Sequence, residues 1–190
     1  KRCFHKEGID VITRKNHAIY PPDRLLQEIR DEFQPNEKRL IVAALLDGLE
    51  TDLQTPVGAY HHFDWVYVDS VSGTRIYRQS VVFLLVTAVK ELYPEAEVIV
   101  RFTANKGLYC DINGLAAITP DIVRAIDERM KAIVAEDRPI VKKPLPREEA
   151  VALFKQSRQI AKANLIAAIP QDTVSIYYCG AAYDYLYSAM

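Results

Sequence analysis

Residues 75–93 restrict the fold more than any other part of this 190-residue chain. The middle of that stretch, residues 81–89 (VVFLLVTAV), is nine residues without a charge, and Pro94 closes the segment. A helix that is apolar on every side has to be buried on most of them. The stretch therefore predicts the long central helix of a folded unit. Nine residues are about half of the ~20 that a membrane helix needs, so no transmembrane span is expected.

The surrounding composition suits a soluble core rather than disorder: 49% of residues are hydrophobic and 26% charged. Basic residues number 24 and acidic 25, a formal charge of −1, so no global attraction to nucleic acid or to an anionic membrane is expected. Cys3, Cys110 and Cys179 form no CxxC pair. With no apolar leader at the start, they fit a reducing cytoplasm better than a secreted disulfide scaffold. The chain starts at Lys1 and stops on YLYSAM, which reads as a piece of a longer protein.

Two α+β units are expected. In the first, residues 9–13 read as a strand, and Pro21-Pro22-Asp23 opens a helix whose apolar face is Leu25, Leu26, Ile29 and Phe33. Residues 40–46 follow as a strand that Asp47-Gly48 turns into a hairpin. The chain loosens at Thr55-Pro56-Val57-Gly58, and the boundary is set at residues 60 and 61, ahead of a strand at residues 65–69. In the second unit the long helix leads into a hairpin of residues 98–102 and 108–112. Thr119-Pro120-Asp121 is a helix start, with a hydroxyl at the N-cap, proline at the first turn and a carboxylate at the positive end of the dipole. A short strand is expected at residues 139–143, then a helix from Pro146 with Ala150, Leu153 and Phe154 inward. A helix over residues 159–169 and a strand over 173–178 close the unit.

Neither GxxxxGK[ST] nor GxGxxG occurs, so no nucleotide-phosphate cradle of either kind is encoded in these residues. His61-His62 are adjacent and diverge on an extended backbone, so no metal site is expected. Cys110 and Cys179 lie in or beside strands without a nearby histidine and read as structural. Lys155, Arg158 and Lys162, at i, i+3 and i+7, are expected on one helix face. With Lys142, Lys143 and a tyrosine-rich C-terminal stretch they make Lys155 and Arg158 candidate RNA contacts.

Arg75-Ile76-Tyr77-Arg78-Gln79-Ser80 with Leu84, Leu85 and Leu92-Tyr93-Pro94 resembles the editing-domain helix of threonyl-tRNA synthetases. Residues 106–111 (KGLYCD), Pro146-Arg147-Glu148-Glu149-Ala150, Lys162 and residues 176–180 (IYYCG) with Asp184 continue the likeness in order. The resemblance covers residues 75–190. Residues 1–60 are similar to the TGS domain, a small β-grasp-like unit, that precedes this module. The resemblance thus implies a β-grasp-like unit followed by a synthetase editing-type α+β domain, residues 61–190, built on a long central helix.

In that family, hydrolysis of mischarged tRNA uses an HxxxH helix and a CxxxH segment. The matching positions here are Gln79, Phe83, Leu186 and Met190, none of which exchanges a proton at neutral pH. No catalytic residue is therefore expected. Tyr109, Lys162 and Asp184 remain as a candidate ligand pocket. A TGS-like unit followed by a degenerate editing-type domain resembles the N-terminal region of bacterial uridine (nucleoside) kinases. The leading expectation is accordingly a non-catalytic accessory region of such a kinase. It would have no cofactor of its own and would partner a C-terminal kinase domain of the same chain, which would use ATP and Mg2+. The alternative is an aminoacyl-tRNA binding or editing module of a threonyl-tRNA synthetase-like protein. RNA or a small molecule is the expected ligand in either case, and no oligomeric state is read from the sequence. An unrelated interaction domain is the third reading.

Overall fold

The computed structural model describes residues 9–12, 17–58, 62–105 and 107–186. Cys3, His61, Lys106 and Met190 lie outside the described residues. The fold is α+β. It divides into two compact units, one holding the described residues as far as Ser80 and the other Val81–Leu186. The boundary expected at residues 60 and 61 does not coincide with this division.

In the first unit β1 (Ile9–Ile12) pairs antiparallel with β2 (His17–Tyr20). Among the described residues no side chain caps the N-terminus of helix α1 (Leu26–Phe33). Its first amides are satisfied instead by Thr55 and Leu53 carbonyls, at 3.0 and 2.7 Å. Strands β3 (Ile41–Leu46), β4 (Leu49–Thr51) and β5 (Phe63–Tyr67) form an antiparallel sheet in the order β4-β3-β5. The turn between β3 and β4 has φ of 46° at Asp47 and 84° at Gly48, the pair of left-handed residues that a tight hairpin needs. Leu26 and Ile29 of α1 bury against Ala44 and Leu46 of β3, with Tyr20 and Val57 completing the core. β5 takes its register from β3, Ala44 opposite Trp65, which is why the Trp65 strand belongs to the first unit.

Helix α2 (Val71–Leu92) is the long helix expected from the apolar run. Ser70 caps it: its hydroxyl accepts from the Gly73 amide at 3.0 Å and donates to the Tyr67 carbonyl at 2.6 Å. Gly73 is obligatory, because a Cβ there would lie 1.9 Å from the Tyr67 carbonyl oxygen. In the second unit Phe83, Thr87, Ala88 and Val89 are fully buried. The buried Thr87 hydroxyl donates to the Phe83 carbonyl one turn back, at 2.9 Å, so it enters the core satisfied.

β6 (Glu97–Ala104) and β7 (Gly107–Asn113) form the expected hairpin, with a register shift between Val100 and Phe102. Helix α3 (Pro120–Ala135) starts where the sequence says it should, and the Thr119 hydroxyl accepts from the Ile122 amide. Strand β8 runs over Val141–Pro146, longer than and displaced from the expected 139–143. Pro144 and Pro146 are tolerated because β8 is an edge in the order β10-β9-β8, where a missing donor costs no ladder bond. Helices α4 (Arg147–Gln156) and α5 (Ile160–Ala167) pack through Ala150, Phe154, Ala163 and Ile166 onto Val174 and Ile176 of β9 (Thr173–Cys179). β10 (Ala182–Tyr185) completes the sheet. Both β2 and β10 are four-residue strands that the sequence pattern did not disclose. Among the described residues no helix is long and apolar enough to cross a membrane.

Candidate functional site

Lys162 and Asp184 come from elements that hydrophobic burial places side by side. Lys162 lies on α5, whose Ala163 and Ile166 are held in the core, and Asp184 lies on β10, next to Tyr183, which stacks edge-on to Phe154 at 5.5 Å. The Lys162 Nζ reaches both carboxylate oxygens of Asp184, at 2.6 and 2.7 Å. The Asp184 side chain is 6% exposed and that of Lys162 30%. Asp184 also accepts from the Tyr185 amide at 2.7 Å. The pair is therefore a partly buried, mutually neutralised unit.

The third residue of the expected pocket does not join them. Tyr109 on β7 is half exposed and lies flat on Phe102 of β6, with ring centroids 5.0 Å apart and planes 6° from parallel. Phe102 is equally exposed. Sequence reasoning missed it as a partner of Tyr109, because the register shift that aligns the two rings is a property of the paired strands.

Of the positions that the synthetase resemblance assigns to hydrolysis, Gln79 and Phe83 stand one turn apart on α2. Phe83 is fully buried, Gln79 and Leu186 are partly buried, and Met190 falls outside the described residues. A phenyl ring with no exposed surface neither ligates a metal nor holds a water for proton transfer. The cysteines match their structural reading. Burial, reinforced by Asp111, raises the Cys110 thiol above its ordinary pKa. Burial likewise raises Cys179 despite nearby Arg138, so neither is primed as a thiolate.

The basic cluster is arranged differently from expectation. Lys155, Arg158 and Lys162 do not share a helix face, because the helix breaks between them. Lys155 is in the last turn of α4, Arg158 is in the turn at φ 62°, and Lys162 is on α5. Tyr178, Tyr183 and Tyr185 pack against the α4–α5 core, and of these Tyr183 also borders the cavity described next. Lys142 and Lys143 lie over the Tyr177 and Tyr178 rings at 5.9 and 5.3 Å.

A cavity of about 560 Å3 opens beside this region. It is bordered by the C-terminal turns of α2, residues 94–98, the α4–α5 turn and the β9–β10 turn. Lys162 and Arg158 line it; Tyr109, Phe83, Lys155 and Leu186 do not.

No protein-family model matches the chain. It is 34% identical over 176 residues to the threonine–tRNA ligase of Bacillus velezensis, which covers 91% of this chain and 27% of that protein. Threonine–tRNA ligase 1 of Bacillus subtilis is 35% identical over 159 residues, 83% of this chain and 25% of the ligase. The ligase of Acidithiobacillus ferrooxidans is 36% identical over 143 residues, 75% of this chain and 22% of the ligase. The chain thus spans about a quarter of the length of the curated relatives it matches. Eight such relatives, 31–36% identical, all carry the name threonine–tRNA ligase, which overturns the nucleoside-kinase expectation and favours its alternative. The kinase domain expected as a partner, with its ATP and Mg2+, loses its ground with that reading.

Proposed function

We propose that this chain is the editing-type region of a cytoplasmic threonyl-tRNA synthetase-like protein, and that it binds aminoacyl-tRNA without hydrolysing the ester. The observation that supports this most directly is the combination of extensive similarity to threonine–tRNA ligases with Gln79 and a fully buried Phe83 at the positions of the hydrolytic pair. Ester hydrolysis needs a group that takes a proton from water. At these positions an amide and a phenyl ring offer none. Lys162, the remaining basic residue of the proposed pocket, is held by Asp184.

Binding is a separate property from turnover. The exposed Phe102–Tyr109 stack offers a face of the kind on which unpaired bases stack, worth about 1–3 kcal/mol per base. Lys155 and Arg158, both exposed, supply positive charge for the RNA backbone. The test uses the purified chain with seryl- and threonyl-tRNA. Deacylation no faster than without protein is expected, together with filter binding that weakens steeply as salt rises and weakens further in the Lys155→Ala/Arg158→Ala double variant. Turnover that disappears in Lys162→Ala would overturn the non-hydrolytic reading. Undetectable binding at low ionic strength would overturn the tRNA reading.

A further inference from the structure

Most polar groups around the 560 Å3 cavity are already committed. Lys162 is held by Asp184, and the Lys90 Nζ donates to the Pro94 carbonyl at 2.7 Å. Glu91 takes hydrogen bonds from Arg129 and Arg138. Gln159 donates to the Ser157 hydroxyl at 3.2 Å, and that hydroxyl to the Phe154 carbonyl. Arg158, Glu95 and Glu97 are different: all three border the cavity, and among the described residues none has an ion-pair partner. The rest of the lining includes hydrocarbon from the partly buried Val86 and Val98.

Arg158 holds its place against a backbone penalty. The Gln159 amide bonds the Phe154 carbonyl at 2.9 Å and the Arg158 amide bonds the Lys155 carbonyl at 3.0 Å, the two bonds of a Schellman turn. Arg158 therefore occupies the left-handed position, φ 62°, where glycine is the residue without a Cβ penalty. Local folding favours glycine there, yet the chain has an arginine at the cavity.

A simple anion would use Arg158 and be repelled by Glu95 and Glu97, and a simple cation would meet the reverse. An apolar molecule would leave all three charges uncompensated. The ligand that uses every wall has an anionic end, a donor-rich end and an apolar plane. We infer that the cavity binds a nucleoside 5′-monophosphate, with Arg158 on the phosphate, Glu95 and Glu97 accepting from the ribose cis-diol, and the base against the valines. A guanidinium fork matches phosphate geometry, and a carboxylate is the usual partner of a ribose hydroxyl. The volume lies within the ~300–1,000 Å3 of small-molecule sites. The same chemistry is presented by a free nucleotide and by the 3′-terminal nucleotide of an RNA. Only the second source rests on the tRNA reading above.

Titration calorimetry of the whole chain separates these. The ligands are AMP, adenosine, 2′,3′-dideoxy-AMP and a short oligoribonucleotide ending in a 3′-hydroxyl or a 3′-phosphate. AMP is expected to bind about tenfold or more weakly to Arg158→Gly, a change that relieves the backbone and keeps the fold, while adenosine binds both proteins alike. Glu97→Gln and removal of the diol should each weaken AMP binding by a similar factor. An oligonucleotide that binds only with a free 3′-diol, without AMP binding, assigns the cavity to RNA ends. AMP binding with no discrimination between the two oligonucleotides assigns it to free nucleotides. No heat from AMP or from the 3′-hydroxyl oligonucleotide, or AMP binding indifferent to both substitutions, overturns the assignment. AMP binding by a chain that fails to retain tRNA on a filter would sink the tRNA reading alone.

Discussion

At the scale of single residues, the Lys162–Asp184 pair is the clearest place where removal of one partner has a readable consequence. Asp184 is almost completely enclosed and, among the described residues, would keep only the Tyr185 amide if the ammonium were lost. Breaking a fully buried pair costs about 3–5 kcal/mol, and because Lys162 is nearly a third exposed, Lys162→Met is expected to cost about 2–3 kcal/mol. Urea denaturation measures it. The double change Lys162→Met/Asp184→Leu should recover most of the loss, since removing both partners leaves no orphaned charge. A single variant as stable as the parent would show that water replaces the lysine. The identity of these two residues was legible in the sequence, as was that of Gln79 and Phe83 at the positions the resemblance assigns to hydrolysis. The resemblance already placed Lys162 and Asp184 in one candidate pocket; that Tyr109 stands apart from them was not legible, because strand pairing and core packing set it.

At the scale of elements, two contacts fix the ends of α2. Its first turn lies so close to β5 that the Cβ of Gly73→Ala would fall 1.9 Å from the Tyr67 oxygen and 2.9 Å from the Val68 Cα, both backbone atoms that yield little. Gly73→Ala is expected to destabilise the chain by about 3 kcal/mol, the upper end of overpacking costs, read as a lowered denaturation midpoint. At the other end Glu91 accepts from the Arg129 Nε at 2.6 Å and from Arg138, tying the last turn of α2 to α3 and to the turn after it. Burial alone would raise the Glu91 carboxyl, but the hydrogen bonds from Arg138 and Arg129 outweigh it and hold it below the ordinary value of 4.5. A lowered folded-state value means the stabilisation is present above the unfolded value and is lost as pH falls through the lowered one. Glu91→Gln should therefore lower Tm at neutral pH, with a loss of about 1–2 kcal/mol, between exposed and buried pairs. The two proteins should converge as the pH falls below 4.5. A pH-independent difference would assign the effect to packing instead.

At the scale of the whole molecule, the similarity to about a quarter of each threonine–tRNA ligase bears on the function more strongly than any single motif. The prediction at this scale is the absence of deacylation together with salt-sensitive tRNA binding. The sequence by itself determined the α+β class, the 22-residue helix from its uncharged run, and the α3 start from Thr119-Pro120-Asp121. These are properties of near neighbours in the chain or of residue identity alone, for which periodicity, capping chemistry and side-chain functional groups suffice. Only the tertiary structure decided that the Trp65 strand joins the first unit and that an edge strand accepts Pro144 and Pro146. The same holds for the left-handed turn that separates Arg158 from Lys155 and Lys162. Those outcomes depend on which distant strand supplies a hydrogen-bond partner and which helix end must turn back onto the core. A chain encodes such choices only through the sum of its burial, and no local pattern displays them.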